Sequence, residues 1–320
     1  MRIHLWVLCA VVLGLAHAGF AEFAFEDNGT TLTILEDGAK VLCYNYGRVD
    51  PPEGVDRDRY WRSSYIHPLY GLDGEVMTQD FPPDHYHHRG LFWTWPRCRV
   101  GDREMDLWTI VGARQLFQQW IAREADEHKA EVAVQNAWLF DDDPEPKVRE
   151  TVRFTVHPAD KDGRCIDFHL VFTNICAERV FIGGQTTDNK GYGGFCFRPN
   201  AARKPGAKRK TFTFTTAQGE QKRDALKVDT PWADVAWRDR ADGPMCGAAI
   251  FQHPKNPGYP HPGWILRHYG FLGASWPHLE GHYLEPDASV ELRYQLYTHQ
   301  GTAEAAKVGE RFKSYVDSAR

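Results

Sequence analysis

Three histidines and an arginine fall within five residues in Asp84-His85-Tyr86-His87-His88-Arg89-Gly90, the densest polar cluster of the chain. Histidine titrates near neutral pH, so such a group can move a proton, and an arginine beside it can stabilise the negative charge that develops. Pro82 and Pro83 keep the approach extended. If the chain continues as a strand, alternation puts His85, His87 and Arg89 on one face and turns His88 away. His85, His87, His88 and Arg89 are therefore candidate catalytic residues. An H-x-H pair on one face can also hold a metal, so His85 and His87 are candidate ligands for copper, zinc or iron, with a third ligand from Asp106, His253 or His282. The identity of any cofactor stays open.

A second cluster runs from His253-Pro254-Lys255-Asn256-Pro257 to Trp264-Ile265-Leu266-Arg267-His268-Tyr269-Gly270. Its prolines suit a loop that holds side chains still at a strand end. His253 and Arg267 join the catalytic candidates, while Asn256, Trp264 and Tyr269 could wall a sugar ring. An aromatic corner of the core would read the same way. In the third cluster, Thr186 to Gly194, the glycines lack the spacing of a phosphate-binding loop. It reads as a tight turn from which Lys190 and Tyr192 could reach a ligand. Trp93, Trp95 and Trp108 sit beside the polar clusters, as in a ligand pocket, although a large aromatic core would look alike. Asp84, Asp106 and Glu280 are the nearest acids and form no assignable pair, so a two-carboxylate glycosidase is not supported. Neither a G-x-S-x-G elbow nor an H-E-x-x-H helix occurs.

These residues need a scaffold, and composition narrows it. The chain has 320 residues and a net charge of -5, which argues against nucleic acid as the main partner. The basic run 203–210 carries Pro and Gly and reads as a solvated loop. Residues 1–18 read as a signal peptide: Arg2, a short apolar run, then Ala16-His17-Ala18 as a small-x-small cleavage site. A secreted or periplasmic product of residues 19–320 is expected, without a membrane span. Its six cysteines have no C-x-x-C pair, and both disulfides and free thiols are open.

The element pattern is that of a β protein. Runs 23–26, 31–35 and 40–46 are separated by Asn28-Gly29 and Asp37-Gly38, dipeptides suited to tight hairpins. Further strands are expected at 131–140, 147–157, 165–174, 179–184, 211–215, 246–252 and 289–299. Residues 106–121 fit a helix or a strand pair. Thr302 can cap a C-terminal helix whose Ala305, Val308, Phe312 and Tyr315 share a stripe. The sum is one all-β domain, a large antiparallel β-sandwich with a short C-terminal helix.

The run from Asp84 to Trp93, the segment Gly191-Tyr192-Gly193-Gly194, the stretch from His253 to Gly270 and the ending Leu292 to Gly301 together resemble an exported bacterial domain family labelled methane oxygenase PmoA. The resemblance covers most of the mature chain and implies a β-sandwich. A membrane oxygenase subunit needs several spanning helices, which this sequence lacks, so the label does not carry its chemistry over. The strand order also resembles the sandwich of galactose-mutarotase-like proteins. The expectation is a carbohydrate-active or carbohydrate-binding protein, with hydrolase, lyase and epimerase as the open enzyme classes, acting on a small molecule or glycan. A metal-dependent enzyme and a non-catalytic glycan-binding module are the alternatives.

Overall fold

The two hairpin dipeptides close an opening meander. Phe23–Asp27, Thr31–Glu36 and Ala39–Asn45 pair antiparallel in sequence, and Gly29, Asp37 and Gly38 take the positive φ that such turns demand. The computed structural model describes residues 22–201, 211–238, 240 and 242–319. The expected signal peptide and the basic run 203–210 lie outside these residues.

The meander opens an eight-stranded sheet that continues through Tyr65–Leu69, Leu91–Thr94, Gly194–Phe197, Phe271–Ala274 and Trp264–Arg267. A nine-stranded antiparallel sheet is built on the long strands Ala130–Phe140, Asp143–Val156, Gly163–Asn174 and Ser289–Gln300. A third sheet of four short strands joins His282–Leu284, Val180–Gly183, Arg97–Val100 and Arg103–Met105. Alternation decides which side chains meet between the large sheets. Phe195 reaches Phe168 at 5.0 Å and Tyr294 at 4.8 Å, and Trp95 meets Phe172 at 5.0 Å and Trp138 at 5.8 Å. This face-to-face packing makes the fold an antiparallel β-sandwich, with burial of each large apolar side chain contributing about 1.5–3 kcal/mol.

Two element expectations change. Residues 106–111 form a turn closed by an Asp106–Val111 bridge, followed by the strand Ala113–Ala125. The C-terminal helix spans Val308–Ser318, later than Thr302 suggests, because Lys307 takes a left-handed φ of 53°. Thr302 Oγ1 instead accepts from Ala305 N at 3.3 Å in a preceding turn, and Ala305 is exposed. Ala303, Ala306, Val308 and Tyr315 pack with Phe251 and Tyr297 of the nine-stranded sheet. No disulfide joins the six cysteines of the described region. No helix there is long and apolar enough to cross a membrane.

Candidate active site

Register gathers the site. Leu91 pairs with Phe197 and Phe197 with Leu272, so the start of Leu91–Thr94, the end of Gly194–Phe197 and the start of Phe271–Ala274 share one edge. The residues just beyond those ends therefore meet: the loop before Gly90, then Arg198, then the hairpin turn Arg267-His268-Tyr269-Gly270. Arg198 N donates to Gly90 O at 2.8 Å, and Gly270 N to Arg267 O at 2.8 Å.

The His85 segment is not a strand. His85 N donates to Pro82 O at 2.8 Å and His88 N to His85 O at 2.9 Å, two consecutive turns that overrule alternation. His85, His87 and His88 consequently lie together. His85 stacks on His88 with centroids 4.6 Å apart, and His87 meets His88 edge-on at 4.6 Å. On its other face His85 stacks on Tyr269 at 5.1 Å. His85 Nδ1 is 3.1 Å from Asp84 Oδ2, within ion-pair distance though poorly aligned for a hydrogen bond. Arg198 Nη2 donates to both Asp84 oxygens at 2.8 and 2.9 Å, while Arg198 Nη1 is 3.5 Å from His88 Nδ1.

Beneath the imidazoles lies an aromatic layer. Alternation puts Phe92, Cys196 and Phe271 on the outer face of the eight-stranded sheet, where they pack with Tyr65, Trp108 and Tyr192. Trp108 arrives on the 106–111 turn and touches His87 at 6.0 Å and His88 at 5.4 Å. Arg62 fixes that turn by donating to the carbonyls of Leu107 and Trp108. Tyr192 stands between Gly191 and Gly193, both at positive φ, and a Cβ on Gly191 would lie 2.0 Å from His278 Nε2. The segment can follow this path only with glycine there, and it brings Tyr192 Oη to 3.5 Å from Tyr269 Oη.

Burial sets the electrostatics. It pushes the His87 imidazole down to about 3, helped by neighbouring His85 and Arg62, and drives His88 well below the ordinary histidine range. Both rings are neutral near pH 7. For Asp84 burial works upward, but Arg198 and then His85 outweigh it and hold the carboxyl below its ordinary value. Burial raises the Tyr269 phenol, and Tyr192 adds to the effect.

Other sequence candidates lie elsewhere. Arg89 is fully buried and spends its guanidinium on the carbonyls of Tyr86, His88 and Tyr60, over the Phe81 ring at 3.4 Å, so it shapes the loop rather than facing a ligand. Trp93, Trp95 and Trp264 have inward parity and are wholly buried, their indole N–H groups donating to Glu150, Trp276 O and Thr230 O. His253 and Asn256 belong to the other sheet. His253 packs on Tyr315 at 5.6 Å, and Asn256 is clamped to the backbone of Arg293 in both directions. Arg267 stands at the margin, 5.9 Å from the Tyr269 centroid, with Nε 3.2 Å from Asp224. Lys190 pairs with Asp188 on its own loop. Asp106 is occupied by the Trp108 and Thr109 amides, His282 packs on Trp276, and Glu280 is 3.9 Å from His261. Among the described residues no three His, Cys, Asp or Glu side chains are grouped to hold a metal ion. Arg198 is the member that local reading missed, since only strand register reveals its proximity to Asp84.

Residues 31–313 match the model of a family of unknown function, DUF6807. The chain belongs to that family. No curated protein matches the sequence. Among solved structures, the chain is similar to the galactosidase domain of an alpha-galactosidase-sucrose kinase, at 10% identity over 87% of this chain and 42% of that one, with a TM-score of 0.45. It is also similar to a galactose mutarotase related enzyme from Lactobacillus acidophilus (9% identity, 88% of this chain, 98% of that, TM-score 0.40). A galactose 1-epimerase from the same organism gives 10% identity, 88% and 99% coverage and a TM-score of 0.39.

Proposed function

We propose that the family member described here is a carbohydrate-active enzyme of the periplasm or exterior in which His85 transfers a proton at a sugar carbon or oxygen. The observation that carries this reading is the Asp84–His85 contact braced by Arg198. An ionised carboxylate facing Nδ1 favours the proton on that nitrogen and leaves the Nε2 lone pair to act as base. His85 and Tyr269 are partly exposed, so a substrate can reach them. The neutral His87 ring offers one donor and one acceptor to sugar hydroxyls, and the Tyr86 ring offers an apolar face to the C–H side of a pyranose.

Proton transfer by one imidazole suits epimerisation, anomer exchange or eliminative cleavage better than hydrolysis between two carboxylates. The test is to incubate the purified protein with a panel of mono- and oligosaccharides. Anomer exchange and deuterium incorporation are followed by NMR, and unsaturated products by ultraviolet absorbance. Turnover by the wild type that collapses in His85→Ala supports the reading. Binding of glycans without any product would make the protein a recognition module instead, and turnover that survives His85→Ala would move the chemistry elsewhere.

A further inference from the structure

We propose that the cleft between the four-stranded sheet and the 106–112 turn is a second ligand site, built for a carboxylate-bearing sugar, a uronate unit. Its volume of about 540 Å³ lies within the roughly 300–1,000 Å³ of small-ligand pockets and accommodates more than one sugar ring. Arg97 and Arg99 alternate onto one face of their strand, so their Cα atoms lie roughly 7 Å apart. Both guanidiniums lie against the Phe181 ring, each 5.2 Å from its centroid. Register sets Tyr283 on the far side of Phe181 and Glu104 on the far side of Arg99, making a row across the sheet.

The two positive charges lack a paired counter-ion, and Glu104, the cross-strand neighbour of Arg99, is not bonded to it among the described residues. Among the described residues neither arginine forms an ion pair: Arg97 Nη2 donates to Leu279 O at 3.3 Å, Arg99 Nη2 to Tyr283 Oη at 3.2 Å, and Nε of each is buried without an acceptor. Asp106 borders the cleft, but its carboxyl is already taken by the Trp108 amide, the Thr109 amide and the Thr109 hydroxyl. Like charges side by side and partly desolvated are costly, and one ligand carboxylate reaching both guanidiniums removes the cost.

Around the charges the wall is apolar. Tyr283 and Val111, 47% and 51% exposed, are two of only four large apolar side chains so exposed in the described chain. The platform is also seated by glycines. A Cβ on Gly183 would lie 2.7 Å from Arg97 Nη2 and 2.8 Å from Phe181 Cε1, and one on Gly281 2.3 Å from Phe181 Cζ. A ring with C–H faces and one carboxylate matches this combination, whereas a bare oxyanion would leave the aromatic wall unused.

The site does not depend on the His85 chemistry, and its test separates the two. Trimers of galacturonate, glucuronate and mannuronate, the neutral galactose trimer and inorganic phosphate are titrated calorimetrically against wild type. At least one acidic trimer should bind, the neutral trimer at least tenfold more weakly, and phosphate should not compete. The Arg97→Gln/Arg99→Gln double variant should lose at least tenfold in affinity, as should Tyr283→Ala, which removes the exposed ring together with the hydroxyl that accepts from Arg99. His85→Ala should bind as wild type does, and so should Arg103→Gln, whose guanidinium pairs with Asp142. Equal binding of neutral and acidic trimers, no binding of any acidic trimer, full competition by phosphate, or unaltered affinity in both the double variant and Tyr283→Ala would each overturn the proposal.

Discussion

The His85 imidazole lies parallel to the Tyr269 ring, with centroids 5.1 Å apart and planes inclined by 14°. The contact joins two loops 184 positions apart in sequence, and it fixes the plane in which the His85 nitrogens point. Tyr269→Phe preserves the ring and removes only the hydroxyl that faces Tyr192. Tyr269→Leu removes the platform. Stacking of this kind is worth about 0.5–1.5 kcal/mol, which corresponds to roughly a two- to tenfold change in rate. The expected order of activity is wild type, then Tyr269→Phe close behind, then Tyr269→Leu lower by up to about tenfold. NMR provides a check independent of activity: the ring-current shift on the His85 protons should persist in the first variant and vanish in the second.

Asp84 orients His85 by charge, so the amide variant Asp84→Asn should retain the fold and lose rate. Its side chain is 47% exposed, which leaves little packing to disturb. The expected loss is about 10²-fold, within the range for general acid–base groups. Because Arg198 and His85 hold the Asp84 carboxyl below its ordinary value against the effect of burial, it remains ionised through the mildly acidic range. Wild-type activity should therefore persist below pH 5 as far as Asp84 is concerned, and a rate equal to wild type in Asp84→Asn would remove it from the mechanism.

His87 gives a stability prediction with a definite sign. Burial pushes its folded pKa down to about 3, whereas the unfolded chain binds the same proton near 6.5. Between those values the unfolded state holds more protons, so stability falls as pH drops from 6.5 toward 3, by up to about 1.4 kcal/mol per pH unit for this group. His87→Phe keeps a ring against Trp108 and deletes the titration. Urea denaturation at pH 7 and pH 5 should show a smaller loss for the variant than for wild type, and equal losses would contradict the assignment.

Much of the scaffold was legible because its signals are local. Asn28-Gly29 and Asp37-Gly38 announce positive φ, and Thr151-Val152-Arg153-Phe154-Thr155-Val156 shows its buried face by alternation alone. The same rule fails between Pro82 and Gly90, where carbonyl acceptors at Pro82 and His85 bend the chain into turns and bring His88 to the side of His85. Trp93 and Trp95 looked like pocket walls because they follow the histidines in sequence. Their shared parity sends both into the space between the sheets. Arg198 has no local mark that separates it from the chain's other basic residues. It becomes visible only when Gly194–Phe197 is aligned with Leu91–Thr94.

Glu150 should carry more of the fold's stability than any residue of the candidate sites. It is wholly buried between the sheets, and its carboxyl accepts four hydrogen bonds: from Trp93 Nε1 at 2.9 Å, Asn136 Nδ2 at 2.9 Å, Gln115 Nε2 at 2.8 Å and Trp138 Nε1 at 2.7 Å. No cation pairs with it among the described residues, so these four donors are its whole compensation. Glu150→Ala leaves the buried Trp93 and Trp138 indole N–H groups without an acceptor, at a cost of about 1–3 kcal/mol for each that cannot find water, and takes one partner from Gln115 Nε2, which keeps Trp93 O, and one from Asn136 Nδ2, which keeps Tyr44 Oη. A total near 4 kcal/mol is expected after relaxation, toward the upper end for single substitutions and a large part of a domain's roughly 5–15 kcal/mol. Glu150→Gln is nearly isosteric but turns two N–H donors toward two of the existing donors, so it should cost more than half as much as the alanine. Both values follow from urea unfolding with an unchanged m-value. A cost below about 1 kcal/mol for Glu150→Gln would show that the four donors tolerate an amide, and that the carboxyl is not the feature aligning Trp93 and Trp138 across the sandwich.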